Sequence, residues 1–416
     1  MEKTILYFVV FAVLVFSCKN KNEIQDFSEK EITEAPTKTN QNENLIDFSF
    51  EIYENLIKKN SKINYSFSPV SLNLAMGMVY SGAEGETAKE ICNLMGYDCN
   101  KKYFLNSISE YMDFLREIDK DTLIDFKLAN KIYLEKTYTI LPTYKDLIEK
   151  YFDGAFQLAD FVKNARLEEK NINAWVEKMT NDRIKDLIPA GSLKPNTSMV
   201  LVNAIYIKSA WKYPFRESRN EKKDFFLSKK DKVKTDFMIQ NIKRIKYADI
   251  NSYKAIEMEY VNRNFSLLLV LPNESSIDNI SDFVLNSEKY REICNSLLYQ
   301  EVDIEIPKFK IESSFELSKL LKEMGMVSAF SNADFSGITQ NNNLEISQVI
   351  QKVFFELDEK GSEAAAATAI TMMTTSIVME PEMKLTYEFI ANRPFFYVLK
   401  ENKYNTPLFI GQFVKP

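Results

Sequence analysis

The stretch that decides the fold of this chain starts at Glu359 and reads Glu359-Lys360-Gly361-Ser362-Glu363-Ala364-Ala365-Ala366-Ala367-Thr368, continuing as Ala369-Ile370-Thr371-Met372-Met373-Thr374-Thr375-Ser376. Four consecutive alanines favour a helix, because Ala has the highest helix propensity. Gly361 and the Thr- and Ile-rich continuation favour an extended chain instead. From these residues alone, a surface helix with an alanine patch and a strand both remain open.

As a strand, the stretch would direct successive side chains to opposite faces of a sheet. One face would carry only small, uncharged side chains, those of Ser362, Ala364, Ala366 and Thr368. The opposite face would carry Glu363, Ala365 and Ala367. Such a segment can enter between two existing strands without burying a charge or overfilling a core.

The composition of the 416-residue chain limits the functions that it can have. With 45% hydrophobic residues, the chain can form a sizeable core, and one large domain is compatible with its length. The formal net charge of −6 argues against nucleic-acid binding. The sequence contains no histidine, which excludes Ser-His-Asp and Cys-His nucleophilic sites and His-ligated zinc. We therefore predict no cofactor, no metal and no hydrolase activity.

The N-terminus predicts an exported protein. Residues 5–16 form an unbroken apolar run, too short to span a bilayer but typical of a signal-peptide core. Cys18 follows Ser17 in what looks like a bacterial lipoprotein cleavage box, with an unusual Phe16. We expect a signal peptide at 1–17, lipid attachment at Cys18, and a flexible tether over 18–44 that leads into a domain at 45–416. An ordinary signal peptide with an incidental cysteine is the alternative.

This N-terminal organisation predicts a lipoprotein anchored at the cell surface or in the periplasm, or otherwise a secreted protein. The lipid would be its only contact with a membrane.

Three further cysteines, Cys92, Cys99 and Cys294, are an odd number, so the count does not imply a disulfide framework. A Cys92–Cys99 bridge stays open, and we favour buried free thiols.

Local signals beyond residue 45 predict mixed helices and strands, an α+β class. The expected elements are a helix capped by Ser68 with Pro69 at its first position, a capping box at 87–90, a strand over 198–207 buried on both faces, a capped helix over 313–324, and paired strands over 395–399 and 408–414.

Seven ordered segments resemble serpins, and together they extend from about Leu45 to the C-terminus. These segments are Asn64-Tyr65-Ser66-Phe67-Ser68-Pro69-Val70-Ser71-Leu72, Gly82-Ala83-Glu84-Gly85-Glu86-Thr87, residues 180–187, residues 202–211, the stretch from Glu359, Asn392-Arg393-Pro394-Phe395, and residues 407–411. The resemblance implies the serpin fold, with three β-sheets, surrounding helices and an exposed reactive-centre loop at about 359–383.

The resemblance also implies roles for particular residues. Ser68, Ser71 and Asn203 match a polar "shutter" beneath the central strands, where Gln351 stands in place of the family's common histidine. Trp211 and Lys308 match the "breach", where the loop first enters the sheet, and Lys308 would pair with Glu359. The hinge itself comprises Glu359, Gly361, Ser362, Glu363, Ala364, Ala365, Ala366, Ala367 and Thr368.

Serpins trap proteases as suicide substrates through cleavage and insertion of this loop, so the resemblance implies an inhibitor rather than an enzyme. Counting sixteen residues from Glu359, as in the family, gives Thr375–Ser376 as the reactive bond, within a window of 372–378. No Lys, Arg or aromatic residue occurs from 361 to 383. An elastase-like or subtilisin-like endopeptidase is therefore favoured as partner over a trypsin-like one. A monomer is expected, and a non-inhibitory binding module is the alternative.

Overall fold

The computed structural model describes residues 38–250, 252–274, 278, 280–341, 343–362 and 385–416. The chain divides into a short unit, Met1–Ala35, outside these ranges, and a compact unit, Pro36–Pro416, which contains the fold. In the ranges described, no helix is long and apolar enough to cross a membrane.

The described residues form helices and strands in alternating groups. The helices are α1 (Lys38–Asn60), α2 (Pro69–Gly82), α3 (Gly85–Met95), α4 (Lys101–Asp119), α5 (Pro142–Phe152), α6 (Phe161–Met179), α7 (Ser287–Ser296) and α8 (Ser318–Glu323). The strands are β1 (Tyr65–Phe67), β2 (Ile124–Glu135), β3 (Phe156–Ala159), β4 (Met199–Ala210), β5 (Glu221–Phe226), β6 (Lys232–Ile250), β7 (Tyr253–Glu259), β8 (Phe265–Pro272), β9 (Leu298–Pro307), β10 (Phe309–Glu316), β11 (Ile346–Leu357), β12 (Gly361–Ser362), β13 (Thr386–Ile390), β14 (Phe395–Glu401) and β15 (Pro407–Phe413). The predicted α+β class is confirmed.

The six-stranded sheet carries the candidate site. Its order is β10-β11-β4-β2-β3, with β12 beside β4. Strand β4 is buried at nearly every residue because both of its faces are covered. Leu201 and Ile205 belong to the main core, whereas Val202 and Tyr206 pack with α6 in a second cluster. The strand predicted over 198–207 is therefore confirmed, as is its burial on both faces.

The second sheet has nine strands in the order β1-β15-β14-β8-β7-β6-β9-β13, with β5 paired to β6. The hairpin of β14 and β15 matches the pairing predicted for 395–399 and 408–414. Two hydrogen-bonded sheets are thus described where three were expected. The reason is the length of β6, which pairs with β5 at its start, with β9 from Phe237 to Tyr247 and with β7 at its end. It thereby joins strands that would otherwise form separate sheets.

The start of α2 agrees with the sequence, but the start of α3 does not. The Ser68 side chain accepts a hydrogen bond from the Ser71 amide at 3.3 Å, and Pro69 opens α2. Helix α3 begins at Gly85, so the predicted capping box at 87–90 is wrong. Thr87 instead accepts the Asp334 amide at 2.9 Å, and Glu90 accepts the amides at 327 and 328. The side chains of Thr87 and Glu90, which would have capped the helix, therefore bond to a distant segment instead.

The helix predicted over 313–324 is also wrong in its first half. Residues up to Glu316 extend β10, and α8 covers only Ser318–Glu323. Pairing with β11 explains the difference, because Ser313 lies opposite Val353 in that ladder. The Ser313 hydroxyl accepts the Ser66 amide at 2.9 Å and so caps no helix.

The boundary between tether and domain, predicted at residue 45, lies too late. Helix α1 begins at Lys38. Glu43 pairs with Arg291 at 2.6 Å, and the Asn44 amide donates to the Gly96 carbonyl at 3.2 Å. These contacts attach residues 43 and 44 to the domain, although their polar composition predicted a linker.

Cys92 and Cys99 form a disulfide, so the preference for free thiols at these positions is wrong. Helix α3 ends at Met95, and the next residue, Gly96, has a positive φ of 68° that turns the chain back toward the helix. The two Cα atoms are therefore 5.4 Å apart, within the usual disulfide range. Of the cysteines that the structure describes, Cys294 alone is free.

Candidate functional site

An opening in the six-stranded sheet lies where β11 diverges from β4. Strand β4 pairs with β2 along nearly its whole length, but with β11 only from Met199 to Ile205. Beyond Val353, β11 remains paired to β10 as far as Leu357. Residues 206–210 of β4 therefore present an edge that β11 does not cover.

The short strand β12 occupies the end of this opening. Gly361 lies opposite Ala210 and Ser362 opposite Ser209, antiparallel to β4. A tight turn connects β11 to β12, in which the Asp358 carboxylate accepts the amides of Lys360 at 2.8 Å and Gly361 at 3.0 Å. Two hinge residues, Gly361 and Ser362, are therefore already part of the sheet.

Gly361 is required by this close approach. A Cβ atom at this position would lie 1.9 Å from the Ser209 carbonyl oxygen and 2.8 Å from the Ala210 Cα. Both are backbone atoms of a central strand and cannot move aside easily. Any side chain at 361 would push the hinge away from β4.

The aromatic pair of Tyr260 and Trp211 holds Ser362 in place. Its side chain is 1% exposed, and its hydroxyl hydrogen-bonds to the Tyr260 hydroxyl. Burial raises the pKa of Tyr260, so the phenol stays neutral at physiological pH. Trp211 stacks on Tyr260 with a centroid separation of 4.5 Å and donates its indole N–H to the Asp358 carbonyl at 2.9 Å. The predicted breach residue Trp211 thus contacts both the hinge turn and the support of Ser362.

The predicted pair of Lys308 and Glu359 is present, with Nζ 3.0 Å from Oε1. It is not a surface pair, because the Glu359 side chain is only 7% exposed. The Asn220 amide also donates to this carboxylate. Burial alone would raise the pKa of Glu359, but the hydrogen bonds from Asn220 and Lys308 outweigh it and the pKa lies below its usual value. The carboxylate therefore anchors the hinge turn near neutral pH, and acid would weaken the anchor.

The four predicted shutter residues lie together beneath β4 and β11. Gln351 is fully buried and is the register partner of Asn203. Its Nε2 donates to Asn203 Oδ1 at 2.6 Å and to the Ser68 carbonyl at 2.8 Å, and its Oε1 accepts the Ser68 amide at 2.9 Å. The Gln351 side chain therefore links two neighbouring strands to the start of α2.

Asn130, which the sequence did not predict, completes this cluster. Its Oδ1 accepts the Ser71 hydroxyl and the Asn203 amide, each at 2.8 Å, and its Nδ2 donates to the Ser71 carbonyl at 2.9 Å. Asn130 is the register partner of Asn203 on β2. Every second residue of β2 from Ile124 to Leu134 is apolar except Asn130. This interruption of an apolar face was the available signal, although it does not name the partner.

The remaining predicted site residues lie outside the described residues. They are Cys18, the hinge positions Glu363, Ala364, Ala365, Ala366, Ala367 and Thr368, and the reactive-bond residues Thr375 and Ser376. The described part of the loop ends at Ser362, and the chain is described again from Leu385.

Comparison with known proteins agrees with this geometry. Residues 43–416 match the family model "Serpin (serine protease inhibitor)". A serpin-like protein of Methanosarcina acetivorans is 33% identical, with 100% of this chain and 99% of the relative covered. The leukocyte elastase inhibitor of Xenopus tropicalis is also 33% identical, with 89% of this chain and 97% of the relative covered.

Among solved structures, human thyroxine-binding globulin in complex with thyroxine is similar. Its TM-score is 0.79 at 26% identity, and the match covers 91% of this chain and 99% of that one. The family thus contains protease inhibitors and also members with other roles. Because the family model matches residues 43–416 and relatives are 33% identical over nearly their full length, this chain belongs to the serpin family.

Proposed function

We propose that this serpin is a suicide-substrate inhibitor of serine or cysteine endopeptidases. The protease nucleophile attacks the carbonyl carbon of Thr375 in the reactive-centre loop, forming an acyl bond. The Thr375–Ser376 peptide bond breaks, and the new amine of Ser376 leaves with the proton. The loop then inserts between β4 and β11, carries the acylated protease along and distorts its active site before water can release it.

The observation that carries this proposal is the position of β12. Strand β11, the turn at 358–360 and β12 form a hairpin whose second arm has begun to pair with β4. An arm that continues in this direction runs antiparallel to both β4 and β11. Insertion would replace their parallel pairing with two antiparallel ladders, which are slightly more stable per residue.

The register of β12 also indicates how far along β4 the inserted loop would reach. Continuing it residue by residue brings Met372 opposite Met199, at the far end of β4. The proposed reactive bond lies three residues farther on. At about 3.3 Å per residue, the acylated end would then lie roughly 40 Å from Ser362.

The same register assigns side chains to faces. Ser362, Ala364, Ala366 and Thr368 would share the core face of β4 with Ile207, Ile205 and Asn203. Thr368 would lie opposite Asn203, so its hydroxyl replaces part of the bonding lost when Gln351 moves away. Glu363 would lie opposite Lys208 on the other face. A dozen new backbone hydrogen bonds, at about 1 kcal/mol each, supply more than 10 kcal/mol for the distortion.

Incubation with endopeptidases tests the proposal directly. An elastase-like or subtilisin-like enzyme should give a complex that survives SDS, with a mass equal to protease plus cleaved serpin. Loop cleavage without any such complex, across a panel of serine and cysteine endopeptidases, would refute inhibition and favour the binding-module alternative.

We further propose that the loop directs the inhibitor away from trypsin-like enzymes. Association should be faster with elastase-like or subtilisin-like proteases, and Thr375→Arg should invert that order, because an Arg side chain fits an acidic primary pocket. The measurements are second-order rate constants and the mass of the released C-terminal fragment. A fragment that does not begin at Ser376 would move the reactive bond within 372–378.

We also propose export and lipid anchoring at Cys18, which would hold the inhibitor at the cell surface or in the periplasm. The support is the apolar run at 5–16 and the residues before Cys18. Growth with labelled fatty acid should label the protein, and Cys18→Ser should abolish the label. An unlabelled wild-type protein in the membrane fraction would contradict the anchor.

A further inference from the structure

An exposed aromatic and cationic patch lies next to both ends of the loop. We call it the loop-pole patch and define it by Tyr213, Arg244 and Tyr299. The exposed fractions are 40% for Tyr213 and 47% for Tyr299, and Arg244 is also exposed. Tyr213, Arg244 and Tyr299 line one shallow pocket with Trp211 and Met258. Tyrosine and arginine in such a setting are typical of protein interfaces.

Contacts within the patch fix its shape. The Arg244 guanidinium lies 4.5 Å from the centre of the Tyr299 ring, and the Tyr299 hydroxyl donates to Glu259 at 3.4 Å. Lys212 pairs with the same Glu259, and its ammonium lies 5.3 Å from the Tyr213 ring centre. The rings are thus held by charged neighbours and keep their outer faces exposed.

One positive charge of the patch, that of Arg244, has no carboxylate partner among the described residues. The neighbouring lysines Lys212, Lys243 and Lys246 pair with Glu259, Glu301 and Glu257, respectively. Arg244 forms no ion pair with any residue that the structure describes, although it is exposed. A partner would therefore meet apolar rings beside an unneutralised guanidinium, which suits a carboxylate flanked by apolar side chains.

The loop itself determines which partner can reach the patch. Its N-terminal end is Ser362, bonded to Tyr260, which directly follows Glu259 of the patch surroundings. At its C-terminal end, Thr386 pairs with Glu301 on β9, so Leu385 lies beside residue 300, next to Tyr299. A protein bound to residues 363–384 is therefore tethered at two points that both adjoin the patch.

We infer that the loop-pole patch is a second contact surface for the protease that cleaves the loop. It binds an acidic, partly apolar area beside that protease's substrate cleft and selects among enzymes with similar pockets. This inference rests on the proposed function in one respect, namely that a protease binds and cleaves the loop. It concerns the rate at which the loop is engaged, whereas insertion decides what happens afterwards.

The test compares Arg244→Glu with wild type and with Lys322→Glu. Lys322 also stacks on an aromatic ring, 4.9 Å from the centre of Phe330, but on the helix after the far end of β10. The readout is the second-order rate constant of loop cleavage, counting trapped and released products together. Arg244→Glu should slow it about tenfold at low ionic strength, with a smaller difference at high salt, and Lys322→Glu should not. Tyr299→Ala should also slow cleavage, at any salt concentration.

The stoichiometry of inhibition separates this inference from the proposed function. It should be the same for Arg244→Glu and wild type, because trapping takes place after engagement. Equal cleavage rates for Arg244→Glu and wild type, with every protease that cuts the loop, would overturn the patch as a contact surface. Slower cleavage by Arg244→Glu without any covalent complex would retain the patch and refute inhibition.

Discussion

Replacing Ser362 with Arg is expected to turn the inhibitor into a substrate. The protease should cut the same bond, but the stoichiometry of inhibition should rise from about one to about ten or more. Ser362 is 1% exposed, with its hydroxyl bonded to Tyr260. An Arg in this position would have to lose its hydration without a counter-ion, which costs several kcal/mol. Each 1.4 kcal/mol added to the insertion barrier favours hydrolysis of the acyl-enzyme about tenfold.

The matched control for this prediction is Glu363→Arg, and Ala364→Arg is the second test variant. The register of β12 brings residue 364 to the same core face as Ser362, and residue 363 to the opposite face, beside the half-buried Lys208. Ala364→Arg should therefore resemble Ser362→Arg, whereas Glu363→Arg should have a small effect. Equal stoichiometries for Ser362→Arg and Glu363→Arg would refute the alternating strand, and insertion with it.

A spectroscopic measurement can show whether Ser362→Arg acts at the hinge. The chain has two tryptophans, Trp175 and Trp211, so a Trp175→Phe background leaves Trp211 alone. Its indole bonds to the Asp358 carbonyl in the hinge turn. The fluorescence of Trp211 should change in Ser362→Arg and stay constant in Glu363→Arg.

Replacing Gln351 with Leu is expected to lower the free energy of unfolding by about 3 kcal/mol. The change removes three hydrogen bonds and leaves buried groups of Ser68 and Asn203 without this partner. Each such loss costs about 1–3 kcal/mol, and the leucine regains part of it by packing. At about 2.1 cal/mol/K per residue, the thermal midpoint should fall by roughly 4 °C.

Loss of Gln351 should also ease the separation of β4 and β11, since this side chain joins them across the register pair with Asn203. Spontaneous insertion of the uncut loop should then become faster, seen as loss of inhibitory activity on storage.

Gln348→Leu is the matched control on the same strand. The Gln348 amide makes one bond, to the Ser192 carbonyl at 3.3 Å, so its replacement should lower the midpoint by less than about 1 °C. A Gln351→Leu midpoint no lower than that of Gln348→Leu would contradict the structural role of the cluster.

Local sequence signals identified much of this molecule correctly. Ser68 followed by Pro69 marks a helix start because both residues act within one turn. The apolar run at 198–207 predicts a strand covered on both faces, since no polar side needs solvent. The same reasoning was wrong over 313–316, where residues with cap propensity lie in a strand. Pairing with β11 outweighs that local preference.

Contacts between distant residues could not be predicted in this way. Asn130 bonds to residues 59 and 73 positions away, and Tyr260 bonds to a serine 102 positions away. Nothing in the neighbouring residues of either chain segment specifies such a partner. The bond between Cys92 and Cys99 depends likewise on the turn at Gly96, which brings the two Cα atoms within range.

By itself, the sequence determined the family resemblance, the absence of histidine chemistry and the small, uncharged face of the hinge, because these depend on residue types and their order. Only the tertiary structure decided where that hinge can enter. Strands β4 and β11 separate beyond Ile205, where β11 remains paired with β10 and β4 remains paired with β2. A gap between strands is a property of several backbones at once, so no single stretch of residues encodes it.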